Sequence, residues 1–439
     1  MLKTLVGAFK NKDIRKKILY TLMILVIVRV GSLLPIPGVD TEYFSSLLSG
    51  INTGDLSYLS AFTGGSFERM SLFALSITPY ITSSIIMQLL AIAIPKLEEM
   101  QKEGEDGRKK IAAITRYVTI ALALIESIAM AVGFGRSGLI KGYQGFSTLH
   151  YIVSIIVVVA ALTAGSAMLM WLGERITENG VGNGISIVLL INIISGMPSD
   201  FATLYSTFVA PRTIAKGVLA AAIIIAILVV MVVLVCFLQD GERRIPVQYS
   251  QKVSGRKTFG GQSTNIPLKV NTAGVMPVIF ASSLMQFPVI IAQLFGKSYE
   301  WTRYLSSSYW CRISAPKYSI GLILYIVLLI IFAYCYTSIT FNPIEVADNL
   351  KKAGGVIPGI TPGKSTSDYL NNILNYIVFV GAVGLLIIAL IPIMCTGFFN
   401  ASVSFGGTSV IIIVGVVLET LKQIESQMVN RYYKGFLSE

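Results

Sequence analysis

The chain has 439 residues, of which 54% are hydrophobic and 13% charged, with a mean hydropathy of +0.72. Soluble domains carry about 25% charged residues, so this composition excludes a string of soluble domains and leaves one helical bundle dissolved in lipid. A formal net charge of +12 would point to nucleic acid in a soluble protein, but here the basic residues are weighed first against membrane orientation.

The N-terminus places lysines ahead of an apolar run with no small-residue cleavage site behind it, which reads as a first span and not as a removable signal. A crossing helix needs about 20 apolar residues. In chain order the candidates are 18–34, 71–94, 112–134, 150–172, 184–197, 217–238, 272–293, 318–339, 373–394 and 401–421. The fifth is short and holds Asn192, and charge decides that it counts. With ten spans and both termini inside, the inside segments hold 24 basic residues and the outside segments nine. If 184–197 did not cross, the six basic residues of 239–270 would fall outside, against the positive-inside rule. Arg29 and Arg116 stand near span ends, where long side chains snorkel.

Between the first two spans, 60–67 is too polar and glycine-rich to cross and too apolar for a plain external loop. One reading is a re-entrant piece, since irregular backbone at membrane depth survives only inside protein or a cavity. The other is an amphipathic surface helix. The inside loops 239–270 and 340–372 are long and basic, and read either as solvated hairpin flanks or as a docking surface for a soluble partner.

Ten spans divide into two fives, the arithmetic of an inverted repeat. A trace survives in the residues. Span two reads Pro79, Ile81, Ser84, Met87, Gln88, and span seven reads Pro277, Ile279, Ser282, Met285, Gln286, at the same offsets. Chance likeness between membrane helices is the competing explanation. Proline inside each span predicts a kink.

Catalytic patterns are missing. There is no His-Glu-x-x-His, no Gly-x-Ser-x-Gly and no cysteine pair at metal spacing among Cys236, Cys311, Cys335 and Cys395, and His150 is the only histidine. No enzyme, metal or cofactor is expected. The stretch 358–365 has Pro358 where a phosphate loop needs glycine, and reads as a loop tip. Glu126 is the best candidate for a mid-membrane carboxylate, and no second carboxylate or histidine supplies a relay. That weighs against an inverted-repeat secondary transporter, the alternative reading of function.

Several ordered stretches carry a resemblance along essentially the whole chain. They include Arg29-Val30-Gly31-Ser32 leading to Pro35-Ile36-Pro37-Gly38, Ser76-Ile77-Thr78-Pro79-Tyr80-Ile81, and Trp171-Leu172-Gly173-Glu174-Arg175 with Gly182-Asn183-Gly184-Ile185-Ser186. Arg243-Arg244-Ile245-Pro246-Val247, Pro267-Leu268-Lys269-Val270-Asn271, Asn342-Pro343, Ala347-Asp348-Asn349-Leu350-Lys351-Lys352 and Phe405-Gly406-Gly407-Thr408-Ser409 complete the set. The sequence resembles the SecY/Sec61 alpha family, the channel-forming subunits of the Sec protein translocase.

The resemblance implies an all-α membrane protein: ten transmembrane helices in two inverted five-helix halves, 1–216 and 217–439, with a re-entrant plug helix. It implies a channel that moves unfolded polypeptides across the bacterial cytoplasmic membrane and releases apolar segments sideways into lipid, with both termini cytoplasmic. The family's pore ring carries over to Ile77, Ile81, Ile185, Leu189, Ile279 and Ile412; Ile81 and Ile279 are also matched residues of the repeat. The plug corresponds to about 58–69, with Phe62, Thr63, Gly64, Gly65, Ser66, Phe67 and Arg69. Spans two and three against seven and eight form the lateral gate, with Ser84, Gln88, Ser282, Ser283 and Gln286. Docking residues are Arg243, Arg244, Arg256, Lys257, Lys351 and Lys352. Implied partners are SecE and SecG subunits, the SecA motor ATPase, the ribosome, signal peptides, unfolded secretory or membrane proteins, and the lipid bilayer. Two departures stand out: Thr361 replaces a usual arginine, and Glu126 an often uncharged polar residue.

Overall fold

The computed structural model describes residues 9–42, 44, 46, 63–135, 148–210, 214–249, 252–254, 257–259, 263–294, 300–311, 316–399 and 407–435. Helix dominates. The first helix, α1 (Lys12–Leu33), starts at Asn11, whose side chain accepts from the Asp13 amide. After a run of turns, α2 (Thr78–Ala93) ends at Ile94, which is extended because Pro95 follows. There α3 (Pro95–Lys102) leaves at 105°. Next come α4 (Glu105–Phe134), α5 (Thr148–Asn179), α6 (Gly184–Leu204), which continues through a π turn, and α7 (Ile214–Asp240). Four strands follow: β1 (Glu242–Tyr249), β2 (Lys252–Ser254), β3 (Lys257–Phe259) and β4 (Ser263–Lys269). The rest is α8 (Met276–Leu294), α9 (Glu300–Leu305), α10 (Ile320–Thr340), α11 (Pro343–Lys352), β5 (Gly355–Val356), α12 (Lys364–Phe399) and α13 (Gly407–Gly435).

Each candidate span meets a helix, but length and apolarity single out fewer. Among the described residues six segments are long and apolar enough to cross a membrane: Lys109–Phe134, Leu149–Asn179, Gly184–Val209, Lys216–Asp240, Pro316–Lys352 and Lys364–Cys395. The bent pair α2–α3 makes a seventh if taken as one span. Two further candidates carry charge within their helices, Lys16, Lys17 and Arg29 in α1 and Glu419, Lys422 and Glu425 in α13. The outward faces are apolar: Val218, Leu219, Ile223, Ile225, Val229 and Val230 of α7 are all exposed. So broad an apolar surface suits lipid and not water, and the chain is a multi-pass membrane protein.

Several expectations need correction. Pro79 and Pro277 do not kink their helices. They sit in the first turn of α2 and α8, where the missing N–H had no intrahelical partner to lose. Of residues 71–77, apolar enough to extend span two, Ser71 bridges to Pro35 and 72–77 are turns; Ser76 takes a left-handed conformation at φ 52°. Arg116 lies about three turns into α4, away from the helix end, and pairs with Glu174 of α5 at 2.7 Å. Arg29 does not reach water with Nη1, which is buried.

The two long basic loops of 239–270 and 340–372 fold together. β1 pairs antiparallel with β4, Glu242 opposite Lys269 through Gln248 opposite Ser263, and its far end pairs with β5 at Gln248–Val356. Alternation along β1 buries Ile245 and Val247. With Leu268 these pack on Leu350 of α11 and on Leu370, Ile373 and Ile377 of α12. Leu370 is fully buried, so Leu370→Ala should cost about 2–5 kcal/mol of local stability. Hydrogen exchange should show the β1 and β4 amides opening faster in that variant, while α5 is unchanged.

A single large apolar core joins both parts of the chain. It takes Ile24 and Val28 from α1, Leu169 and Leu172 from α5, Val188 and Ile193 from α6, Met231 and Val235 from α7, Leu329 from α10 and Leu385 from α12. Around it α4 packs on α2 and α5, α8 on α10 and α4, and α13 on α6 and α7.

Candidate functional site

The site begins with a close helix approach. Asn183 caps α6, its Oδ1 accepting from the amides of Ile185 and Ser186. Gly184 follows with no side chain, and a Cβ there would run into the Gly173 carbonyl oxygen of α5. The bare backbone lets α6 start against α5, which fixes the direction of Ile185 and Leu189, about one turn apart. Ile77 caps α2, and its carbonyl accepts from the Ile81 amide at 3.0 Å. Ile279 comes from the first turns of α8 and Ile412 from α13.

The structure gathers all six in one apolar cluster: Ile77, Ile81, Leu189, Ile279 and Ile412 are buried, and half-buried Ile185 packs against them. On one side of the cluster lies a cavity of about 270 Å³. Leu189, Ile279 and Ile412 line it together with polar Gln239, Lys269, Asn271 and Lys422. Three of the six, Leu189, Ile279 and Ile412, thus share a cavity wall of mixed polar and apolar lining. Lys422 Nζ donates to Asp240 at 2.7 Å beside it.

Of the expected plug, Phe62 lies outside the described residues. Residues 64–70 are consecutive turns, with Gly64 and Gly65 at φ 62° and 79°. Thr63, Ser66 and Phe67 are buried and Arg69 is exposed. Phe67 meets Phe44 edge to face at 5.8 Å and packs with Met70, Met130 and Leu162. Gly64 is pressed closely: a Cβ would stand 2.8 Å from the Asn192 carbonyl oxygen and 3.0 Å from Arg29 Nη1.

Of the expected gate residues, Ser282 and Gln286 are buried, while Ser84, Gln88 and Ser283 are half-buried. Gln88 Nε2 donates to Ser84 Oγ at 3.3 Å. Helix α8 meets both α2 and α4. Sequence reasoning missed the polar contact that ties α2 to α4: Ser83 Oγ lies 2.6 Å from Thr119 Oγ1 and donates to the Thr115 carbonyl at 3.1 Å. The Thr115 and Thr119 spacing on one helical face was the available signal. Glu126 is half-buried on α4 beside Ser127, which bonds Thr163 of α5 at 3.1 Å.

Of the expected docking residues, Arg243, Arg244, Lys351 and Lys352 are exposed. Arg244 pairs with Glu242 at 2.6 Å, and the two lysines occupy the last turn of α11, where the helix dipole favours cations. Lys257 lies on β3 and Arg256 outside the described residues. Thr361 Oγ1 donates to Ser365 Oγ at 3.0 Å in the approach to α12. Among the described residues no acidic, histidine or cysteine group could hold a metal, and the four cysteines are free. Burial pushes the Cys311 thiol up, which makes it a poor nucleophile.

Comparison with known proteins follows the same line. The SecY family model matches residues 71–421. A protein translocase subunit SecY of Streptomyces galbus is 44% identical over 446 residues, covering 100% of both chains. That of Halalkalibacterium halodurans is 42% identical over 445 residues, again covering 100% of both. Among solved structures, one described as a protein-conducting channel aligns with a TM-score of 0.61 at 18% identity, covering 94% of this chain and 93% of that one. A SecY structure concerned with the plug domain and the closed channel gives 0.64 at 18% identity, covering 94% and 92%.

Proposed function

The chain belongs to the SecY family and forms a protein-conducting channel, and we propose that Ile77, Ile81, Ile185, Leu189, Ile279 and Ile412 are the ring through which the polypeptide passes. The observation that carries this reading is that all six, from four helices, belong to or pack on one apolar cluster, and three of them line a cavity with mixed polar and apolar walls. A passage for unfolded chains must accept any side chain yet hold back ions. Fixed polar ligands would hold some sequences and stall them, whereas aliphatic groups hold none strongly and dewet when empty. The secondary-transporter alternative is not supported, since the relatives are named as protein translocase subunits.

The finer architecture in this reading is ten spans in two inverted halves, 1–216 and 217–439, with both termini and the β1–β4 sheet in the cytoplasm. The basic residue distribution supports it, as do the matched prolines that open α2 and α8. Residues near 58–69 act as the plug. Gly64→Ala should unseat it, because the left-handed backbone and the crowding by Asn192 both oppose a side chain. Resting ion leakage should rise in planar bilayers, and equal leakage in the variant and the parent would remove the plug role.

Lateral release follows if α2 and α4 part from α8. A segment leaving sideways gains about 0.3–0.6 kcal/mol per Leu, Ile, Phe or Val and loses about 2.5–3.5 for a central Asp, Lys or Arg. Docking falls to the shared sheet and α11, with the ribosome or the SecA motor as partner and SecE and SecG as companion subunits. A relative in fold, Sec61, was solved in a ribosome-channel complex (TM-score 0.59, 17% identity). Lys351→Glu with Lys352→Glu should weaken partner binding about tenfold at low salt and less at high salt. Salt-independent binding by both proteins would exclude an electrostatic dock. The deciding experiment for the ring is disulfide crosslinking of a stalled secretory chain to single cysteines at 81 and 279. No adduct at either position would sink the assignment.

A further inference from the structure

One donor in the cavity wall has no role in the account so far. Gln239, in the last turn of α7, lines the cavity with Asn271, Leu189, Ile279 and Ile412. Its Nε2 is buried and meets no acceptor among the described residues. Two polar neighbours are already paired: Asn271 Nδ2 donates to the Gly274 carbonyl at 2.9 Å, and Lys422 Nζ to Asp240 at 2.7 Å. The amide rests over bare backbone, because a Cβ at Gly415 would stand 3.3 Å from Nε2.

A buried donor without an acceptor is costly and calls for an explanation. The terminal torsion of glutamine is broad, so turning this amide from Gly415 toward the cavity breaks no hydrogen bond at Nε2. The cavity therefore holds a donor ready for a partner that comes and goes.

We propose that Gln239 is a positioning residue that donates a hydrogen bond to main-chain carbonyls of the polypeptide lying in this cavity beside the ring. The inference rests on the reading of the ring as the passage. An unfolded chain presents a carbonyl at every residue, whatever its side chains. A neutral amide that binds carbonyls is thus blind to sequence, unlike Lys269, Glu419 and Lys422 of the same wall, which respond to charge. The single bond is weak enough to release as the next carbonyl arrives, so the chain is centred over Ile279 and Ile412 without being held.

The test uses the full channel, reconstituted in vesicles with its partner subunits and motor, and an unfolded signal-bearing precursor. Gln239→Met removes the N–H at similar volume. It should raise the half-saturating precursor concentration about threefold, with the maximal rate and resting conductance unchanged and thermal stability equal or higher. Gln239→His keeps an N–H and should stay near the parent. A cysteine at 239 should also form a disulfide with a stalled chain. An unchanged half-saturation in Gln239→Met overturns the proposal, as does a missing adduct at 239 while adducts form at 81 and 279. Missing adducts at 81 and 279 would instead overturn the ring itself. If Gln239→Met fails to assemble, the adduct at 239 still decides.

Discussion

Ile81→Ser combined with Ile279→Ser should raise resting ion conductance in planar bilayers on the order of tenfold, because two hydroxyls admit water to a constriction that dewets only while it is aliphatic. The two residues come from α2 and α8, and both are buried in the central cluster. Each single variant should leak less than half as much as the pair, since one hydroxyl leaves the rest of the ring aliphatic. Conductance equal to the parent would mean that the seal lies elsewhere. The control is Ile225→Ser, on the exposed face of α7, which should conduct like the parent.

The second large effect is expected at Gly184. Gly184→Ala places a Cβ against the Gly173 carbonyl oxygen and the Ile176 side chain. Helices α5 and α6 must then separate, an overpacking cost of about 1–3 kcal/mol. The same substitution at Gly196, further along α6, meets open space and gains up to about 1 kcal/mol of helix propensity. Thermal unfolding in detergent should therefore move in opposite directions for the two variants. Because Ile185 and Leu189 ride on α6, Gly184→Ala should also leak ions and Gly196→Ala should not. Matching shifts for both would show that the α5–α6 approach is not tight.

The sequence made the helices legible because lipid imposes one rule, long apolar runs, and hydropathy reads that rule directly. The proposed ring rests on a different signal: Ile81 and Ile279 share an offset from Pro79 and Pro277, and Ile77 and Ile185 lie inside stretches that carry the family resemblance. What hydropathy misses is the direction of the backbone. Residues 71–77 are as apolar as a helix, yet Ser76 turns the chain and Pro79 starts it afresh, so a predicted kink was in fact a helix start. The shared sheet was hidden for another reason. β5 is two residues long and pairs with β1 about a hundred positions away, and no local pattern announces so short a distant strand. Ser83 was passed over for Ser84 because the repeat offset favoured the latter, while packing against Thr115 and Thr119 chose the former.

The pairing of β1 with both β4 and β5 has a mechanical consequence. β1 continues from α7 and β4 leads toward α8, and the hairpin is clasped at its root by the Val270 amide on the Gly241 carbonyl at 2.8 Å. A soluble partner docked on this sheet, as proposed above, would hold a hairpin whose two stems lead into core helices. Force applied there would reach α8, the helix that meets α2 and α4, through the turn residues 270–275, with no long relay of side chains in between.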